Sequence, residues 1–234
     1  MLKALAENVW ILNQPLRLLG FLPLGARMTV VRLADGGLWL HSPVKLGDAE
    51  REEVAALGPV RYVIAPNRFH HLFVAQARAA FPQARFLAAR GLAKKRKDFA
   101  FDGQLGNDPE PGYAADLSQH IIGGMPVLNE TVFLHRSSRT LIASDLLFNA
   151  GAPKSLWAKA YLKLMGTYGG PAQSRMVKLA VLDKVAAYHT VRRVLEWDFD
   201  RVVMAHGKVI ESGGKEALRQ ATQWLATAVG PPRS

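Results

Sequence analysis

The stretch Val60-Arg61-Tyr62-Val63-Ile64-Ala65-Pro66-Asn67-Arg68-Phe69-His70-His71 decides how this chain is read. Its first half, residues 60–65, has the composition of a buried strand, and Pro66, which cannot donate to a ladder, halts it. Past Asn67 the period changes. His71, Leu72, Val74, Ala75, Arg78 and Ala79 recur at helical spacing, and Phe81-Pro82 close that helix. An apolar strand therefore delivers a group of polar side chains at its exit, just before a helix. Strand ends and the loops behind them are where sheets present functional groups.

Upstream, residues 9–12 form a short apolar run that opens a sheet. Residues 28–33 have strand composition, Asp35-Gly36-Gly37 supplies a hairpin turn, and residues 38–41 return as its partner strand until Ser42-Pro43 stops it. Asp48 is expected to cap a helix with acidic residues in its first turn, which runs through Glu53 to Leu57 and ends at Gly58-Pro59. Downstream, residues 84–88 are another strand. Residues 91–118 lack clear periodicity and read as loop with at most one short helix. Residues 131–135 and 140–144 are strands around a turn near Ser137-Ser138-Arg139. Trp157, Tyr161, Leu164 and Met165 share one face of a basic amphipathic helix, expected to cover a core, pack on a partner or lie against a membrane. One long helix is expected over residues 174–197, then a strand over 198–204, and a C-terminal helix over 214–229. Strands in hairpins with helices between and after them predict an α/β (α+β) chain built on mixed sheets.

The strand-exit rule repeats twice. Residues 140–143 lead into Ser144-Asp145, and Val202-Val203-Met204 leads into Ala205-His206-Gly207. Imidazole and carboxylate are the ligands that zinc-like or iron-like ions take, so these exits, brought to one point, are the material of a metal site. Around the second hairpin, the register sets His135 near Leu141, several residues from Asp145, and sets Glu130 or Thr131 across from Asp145, with Glu130 the better candidate neighbour. His135 is therefore expected to be structural or rim-facing.

The order of elements resembles the metallo-β-lactamase fold, a four-layer αβ/βα sandwich of two mixed sheets flanked by helices. That family's metal motif, His-X-His-X-Asp-His, follows an apolar strand and precedes a helix. A later histidine, an aspartate in a Gly-Asp pair and a last histidine in a Gly-His-Gly-like turn complete it. Ile64 to His71 resembles the first motif in altered form, Leu141 to Phe148 the aspartate strand, and Met204-Ala205-His206-Gly207 the last turn. More narrowly, Pro66-Asn67-Arg68-Phe69-His70-His71, His135-Arg136-Ser137-Ser138-Arg139-Thr140-Leu141 and Trp197-Asp198-Phe199-Asp200-Arg201 resemble a bacterial domain family of unassigned function within that fold. Asn67 and Phe69 stand where the first two histidines fall, His70-His71 stands for the Asp-His pair, and Met125 or Glu130 occupies the region of the middle histidine. The resemblance thus implies that the first metal position is lost. It implies that the second survives on His70, His71, Asp145 and His206, holding one divalent ion of zinc, iron or manganese. Asn67, Arg68, His41 and Glu130 are expected around it as supporting or substrate-binding residues, with Arg68 and Arg27 offering charge to an anion.

Composition sets bounds on this reading. The 234 residues fit one domain spanning 1–234, 49% are hydrophobic, and the chain has no cysteine, which excludes disulfides and thiolate ligands. The apolar stretch 11–28 is broken by Asn13, Gln14, Pro15, Arg17, Pro23 and Arg27, so neither a membrane span nor a signal peptide is expected, and the compartment expected is the cytoplasm. The formal charge of +11 favours anionic partners: a small molecule, nucleic acid or a lipid surface. The run Lys94-Lys95-Arg96-Lys97 has no interleaved aromatic residues for stacking bases and is expected to be a solvated face. Two functions fit. One is a mononuclear metal-dependent hydrolase of an anionic substrate. The other is a non-catalytic binding protein on a retired hydrolase scaffold, taking a small molecule, nucleic acid or lipid.

Overall fold

The strands run β1 (Lys3–Ala6), β2 (Val9–Gln14), β3 (Arg17–Leu18), β4 (Leu22–Pro23), β5 (Ala26–Arg32), β6 (Leu38–His41), β7 (Val60–Ala65), β8 (Arg85–Ala88), β9 (Gly103–Gln104), β10 (Leu117–Ile121), β11 (Thr131–His135), β12 (Thr140–Ile142) and β13 (Arg201–Val203). The helices are α1 (Asp48–Leu57), α2 (Val74–Ala80), α3 (Leu92–Lys95), α4 (Leu156–Met165), α5 (Arg175–Ala180), α6 (Lys184–Leu195) and α7 (Gly214–Thr222), followed by a 3-10 turn over Gln223–Ala228. This computed structural model describes residues 1–18, 22–23, 25–153 and 155–230.

Two mixed sheets carry the architecture. The first has strand order β1-β2-β5-β6-β7-β8-β9 and the second β10-β11-β12-β13, while β3 and β4 form a separate short ribbon. The alternation of side chains along each strand separates three cores. In β6 and β7, Trp39 and Ile64 turn one way and meet Phe133 of β11 and Ile142 of β12, so this core lies between the sheets. Leu38, Leu40, Val63 and Ala65 turn the other way, onto Val54 of α1, Val74 and Ala77 of α2 and Leu92 of α3. In the second sheet Val132, Leu134, Leu141 and Val202 face Ala187, Val191 and Val194 of α6 and Leu218 of α7. The four layers, helix–sheet–sheet–helix, follow directly from this partition.

Three expectations are corrected. The helix expected over residues 174–197 is two helices, because Asp183 caps α6 by accepting from Ala186 N (2.9 Å) and the amides of Leu182 and Asp183 both donate to Gly124 O. Strand β10 begins inside the stretch expected to be loop: its polar Gln119 is buried, accepting from the Tyr113 hydroxyl (2.7 Å) and donating to Gly106 O and Asp108 O. The C-terminal helix is α-helical only to Thr222 and then tightens. The expected span 131–135 and the hairpin onto β12 are found in register, with Leu134 opposite Leu141. Among the described residues no helix is long and apolar enough to cross a membrane.

Candidate metal centre

The three strand exits meet at one end of the sandwich. β7 belongs to the first sheet, and β12 and β13 are parallel neighbours in the second, so all three release their chains toward the same cleft. One ligand atom each from His70, Asp145 and His206 lies within 4.8 Å of the others. His70 Nε2 is 3.4 Å from Asp145 Oδ2, and His206 Nε2 is 3.5 Å from Asp145 Oδ1. The two imidazole centroids are 5.0 Å apart, and Phe148 stacks on His206, its ring plane inclined by 7°.

Asn67 holds this group together. Its Oδ1 accepts from the amides of Phe69 and His70 (2.8 Å each), which bends the chain and sends the His70 side chain inward. Its Nδ2 donates to Ser144 Oγ (3.0 Å) and Asp145 Oδ2 (2.8 Å), tying the β7 exit to the β12 exit. Every polar valence of this fully buried side chain is used. Glu130, also fully buried, accepts from the amides of Ser144 (2.7 Å) and Asp145 (2.9 Å), fixing the backbone under the aspartate. Burial first, and the charge of Asp145 second, push the Glu130 carboxyl upward in pKa. Burial would raise Asp145 too, but His70, His206 and Asn67 more than offset it and hold its carboxyl below the usual range.

The imidazoles are fixed from behind. Gly25 O can only accept, so the 2.7 Å contact from His206 Nδ1 places the ring proton there. Gly207 has φ +81 with the Asn149 backbone against it, so the sharp turn after His206 needs glycine. Arg27 clamps the same turn: NH1 donates to Met204 O (2.7 Å), NH2 to Gly207 O (2.6 Å) and Nε to Asn13 Oδ1 (2.8 Å). Its guanidinium is thereby committed to the protein, which corrects its expected role toward an anion. His70 Nδ1 is hydrogen-bonded to Ser42 Oγ at 2.6 Å, and Ser42 has the uncommon φ of +58. No sequence signal marks Ser42 beyond its place at a strand end.

His71 is outside the cluster: its Nδ1 and carbonyl both engage Arg96 NH1 (2.8 and 3.0 Å), and burial, with Lys95 and Arg96, holds its pKa down at about 4. Arg68 donates to Pro126 O (3.0 Å). His41 lies under the site between the sheets, stacked on Trp39 and edge-on to Phe133, and burial followed by the His70 charge lowers its pKa to about 3. His135 bonds Ser138 Oγ (2.7 Å).

The donor set suits a divalent cation on a specific observation. Burial chiefly, and the charge of His70 next, lower the His206 pKa to about 4, so near neutrality its ring is uncharged and its Nε2 carries a lone pair. That lone pair faces the ionised Asp145 carboxylate at 3.5 Å, an acceptor against an acceptor. A cation between them resolves the contact. Two imidazoles and one carboxylate with remaining open positions are a ligand set of the catalytic zinc type. The backing of each imidazole by a hydrogen bond on its other nitrogen is the support that metal-binding histidines use.

Above these residues opens a cavity of about 1240 Å³, floored by Ser42, His70, Asp145 and His206 and walled mainly by apolar side chains, among them Phe69, Leu72, Trp157 and Met176.

Solved structures show the same fold. The mono-zinc form of the metallo-β-lactamase FIM-1 from Pseudomonas aeruginosa superposes with a TM-score of 0.66 at 13% identity, over 99% of this chain and 96% of that one. A metallo-β-lactamase from Erythrobacter litoralis gives 0.64 at 17% identity, over 97% and 92%. One from Hirschia baltica gives 0.64 at 15%, over 96% of each chain. No curated protein matches the sequence. The model of the family described as "Domain of unknown function (DUF4336)" matches residues 6–155, well over half of the 234. The chain is therefore a member of that family of unknown function, built on the metallo-β-lactamase fold.

Proposed function

We propose that this protein is a mononuclear metal-dependent hydrolase whose ion is held by His70, Asp145 and His206, with zinc, iron or manganese as the metal. The observation that carries the reading is the convergence of His70, Asp145 and His206, with one ligand atom from each within 4.8 Å of the others and His206 Nδ1 held from behind by Gly25 O. When bound, such an ion would supply Lewis acidity and lower the pKa of a coordinated water toward neutrality, the chemistry of metal-assisted hydrolysis. The chain's own residues hold and orient. Asn67 and Glu130 fix Asp145, Ser42 and Gly25 fix the two imidazoles, and Phe148 shields one face of His206. The apolar cavity above excludes water from the body of a substrate. The charge of +11 favours a substrate that is also negatively charged.

A second reading rests on Ser42. Its Oγ, His70 and the Asp145 carboxylate line up as a hydroxyl–imidazole–carboxylate series, and the positive φ of Ser42 is strain of the kind found at functional residues. In that reading Ser42 Oγ attacks an ester carbonyl as its proton passes to His70 Nδ1, with the Nε2 proton held on Asp145. The departing alkoxide takes the proton from Nδ1, and water then releases the acyl group. This series uses the imidazole nitrogens in the reverse of the usual order. It also assigns nothing to His206, which is why the metal reading stands first.

One experiment separates the two. Phosphoesters, thioesters and lactones are offered to metal-loaded protein, to chelated protein, and to Ser42→Ala and Asp145→Ala variants. The metal reading expects turnover that chelation and Asp145→Ala abolish, while Ser42→Ala keeps measurable turnover at reduced metal affinity. Turnover that survives chelation, is lost in Ser42→Ala and is matched by labelling with a fluorophosphonate would overturn it in favour of serine. No turnover with metal bound would leave the non-catalytic binding protein.

A further inference from the structure

Helix α4 buries none of its residues, although it is made largely of Leu, Trp, Tyr, Ala and Met. Leu156, Trp157 and Leu164 are 78, 86 and 60% exposed, and Met176, Leu179 and Leu182, on and just after α5, are 62, 80 and 70% exposed. Six large apolar side chains in water, on two neighbouring helices and the turn after them, exceed the scattered apolar residues of an ordinary surface. They are not a random scatter. Trp157 and Leu164 lie two turns apart on one face of α4, Met176 and Leu179 lie one turn apart on α5, and Trp157, Leu164 and Met176 also line the cavity above His70, Asp145 and His206.

The charge of this segment is one-signed. Between Asp145 and Asp183 the sequence contains Lys154, Lys159, Lys163, Arg175 and Lys178 and no aspartate or glutamate. Lys163, Arg175 and Lys178 are exposed, and none of them forms an ion pair among the described residues. An exposed apolar face with an outward tryptophan, bordered by Lys159, Lys163, Arg175 and Lys178 and by a single acid, Asp183, at its far edge, is complementary to an anionic lipid surface, where the apolar groups enter the acyl boundary and the lysines meet headgroups. A second copy of this chain would bring the same cations against one another and is the poorer fit. No spanning helix is involved, since α4 has ten residues.

We propose that the exposed face of α4 and α5 docks on an anionic bilayer, with the mouth of the cavity turned toward the lipid. This is independent of whether the site below holds a metal. The test is sedimentation of the full chain with phosphatidylcholine vesicles, with and without phosphatidylglycerol, at low salt. Binding is expected only with phosphatidylglycerol, together with quenching of tryptophan emission by brominated acyl chains that is lost in Trp157→Phe. Neutralising Lys159, Lys163 and Lys178 to Gln is expected to weaken binding about fivefold per lysine. Trp157→Ser with Leu164→Ser, which leaves the charge unchanged, is expected to weaken it further than charge attraction alone allows, without moving the unfolding midpoint. Absence of binding to phosphatidylglycerol vesicles overturns the proposal. So does binding that the serine double variant leaves intact, since this would be general attraction of a basic protein. A dimer in solution that the same double variant dissociates, with no vesicle binding, overturns it by assigning the face to a second copy.

Discussion

Replacing Asn67 by alanine removes four hydrogen bonds at once and tests whether this residue is the centre of the site's architecture. The truncated side chain no longer accepts from the amides of Phe69 and His70, and no longer donates to Ser144 Oγ and Asp145 Oδ2. The bond to Asp145 is to an ionised group and is worth about 1.5–3 kcal/mol, while each donor left without a partner costs about 1–3 kcal/mol where water cannot reach it. The two amides are half-buried and recover part of this from solvent, so the net loss is about 3–5 kcal/mol. For a chain of this length that lowers the midpoint of thermal unfolding by about 6–20 °C. Urea denaturation followed by circular dichroism at neutral pH measures the free energy, and competition with a chromogenic chelator measures metal affinity in the same protein. Affinity is expected to fall about 10–100-fold, the usual effect of removing support behind a ligand. A variant within about 0.5 kcal/mol of the parent, the range of neutral surface changes, with metal affinity unchanged, would refute the reasoning.

Further outcomes follow from the same geometry. His41 has a native pKa of about 3 against the ordinary 6.5, so below pH 6.5 the unfolded chain takes up a proton that the native chain refuses, and stability falls by about 1.4 kcal/mol per pH unit. Urea midpoints of His41→Phe between pH 7 and pH 5 should lack this contribution to the slope; curves parallel to the parent's would contradict it. Arg27→Met leaves Met204 O and Gly207 O without their donor and is expected to destabilise the chain by about 2–4 kcal/mol, read by the same denaturation. Gly207→Ala places a side chain at φ +81 against the Asn149 backbone and is expected to cost at least about 1–3 kcal/mol while displacing His206, which a loss of metal affinity greater than that of Arg27→Met would reveal.

Much of the frame was legible from local rules. Apolar strand composition with punctuation by Gly, Pro and Ser located the β5–β6 hairpin, β7, β11 and β12, because there the buried runs and the turn residues agree. Apolar strands exiting into Asn67, Asp145 and His206 mark the side chains that the fold brings to one cleft. What local rules miss is decided by tertiary partners. Whether His70 or His71 turns inward depends on the Asn67 side chain bridging to Asp145, and on Arg96 twenty-five residues away drawing His71 aside. Strand β10 hides behind Gln119 and His120, polar residues buried between apolar neighbours. The break between α5 and α6 depends on Gly124 O, from another part of the chain. Ser42 and the clamping role of Arg27 escape for the same reason: a left-handed serine and a guanidinium committed to carbonyls far along the chain leave no periodic trace.

The central claim, that His70, Asp145 and His206 hold a single divalent ion, is tested most directly by elemental analysis of untagged protein purified without added metal, beside three variants. The account predicts one zinc, iron or manganese per chain, retained in His71→Ala because that ring faces Arg96, and lost in Asp145→Ala and His206→Ala. A wild-type protein without stoichiometric metal that also takes up none on titration, or one whose metal departs with His71 and stays without His206, would contradict it.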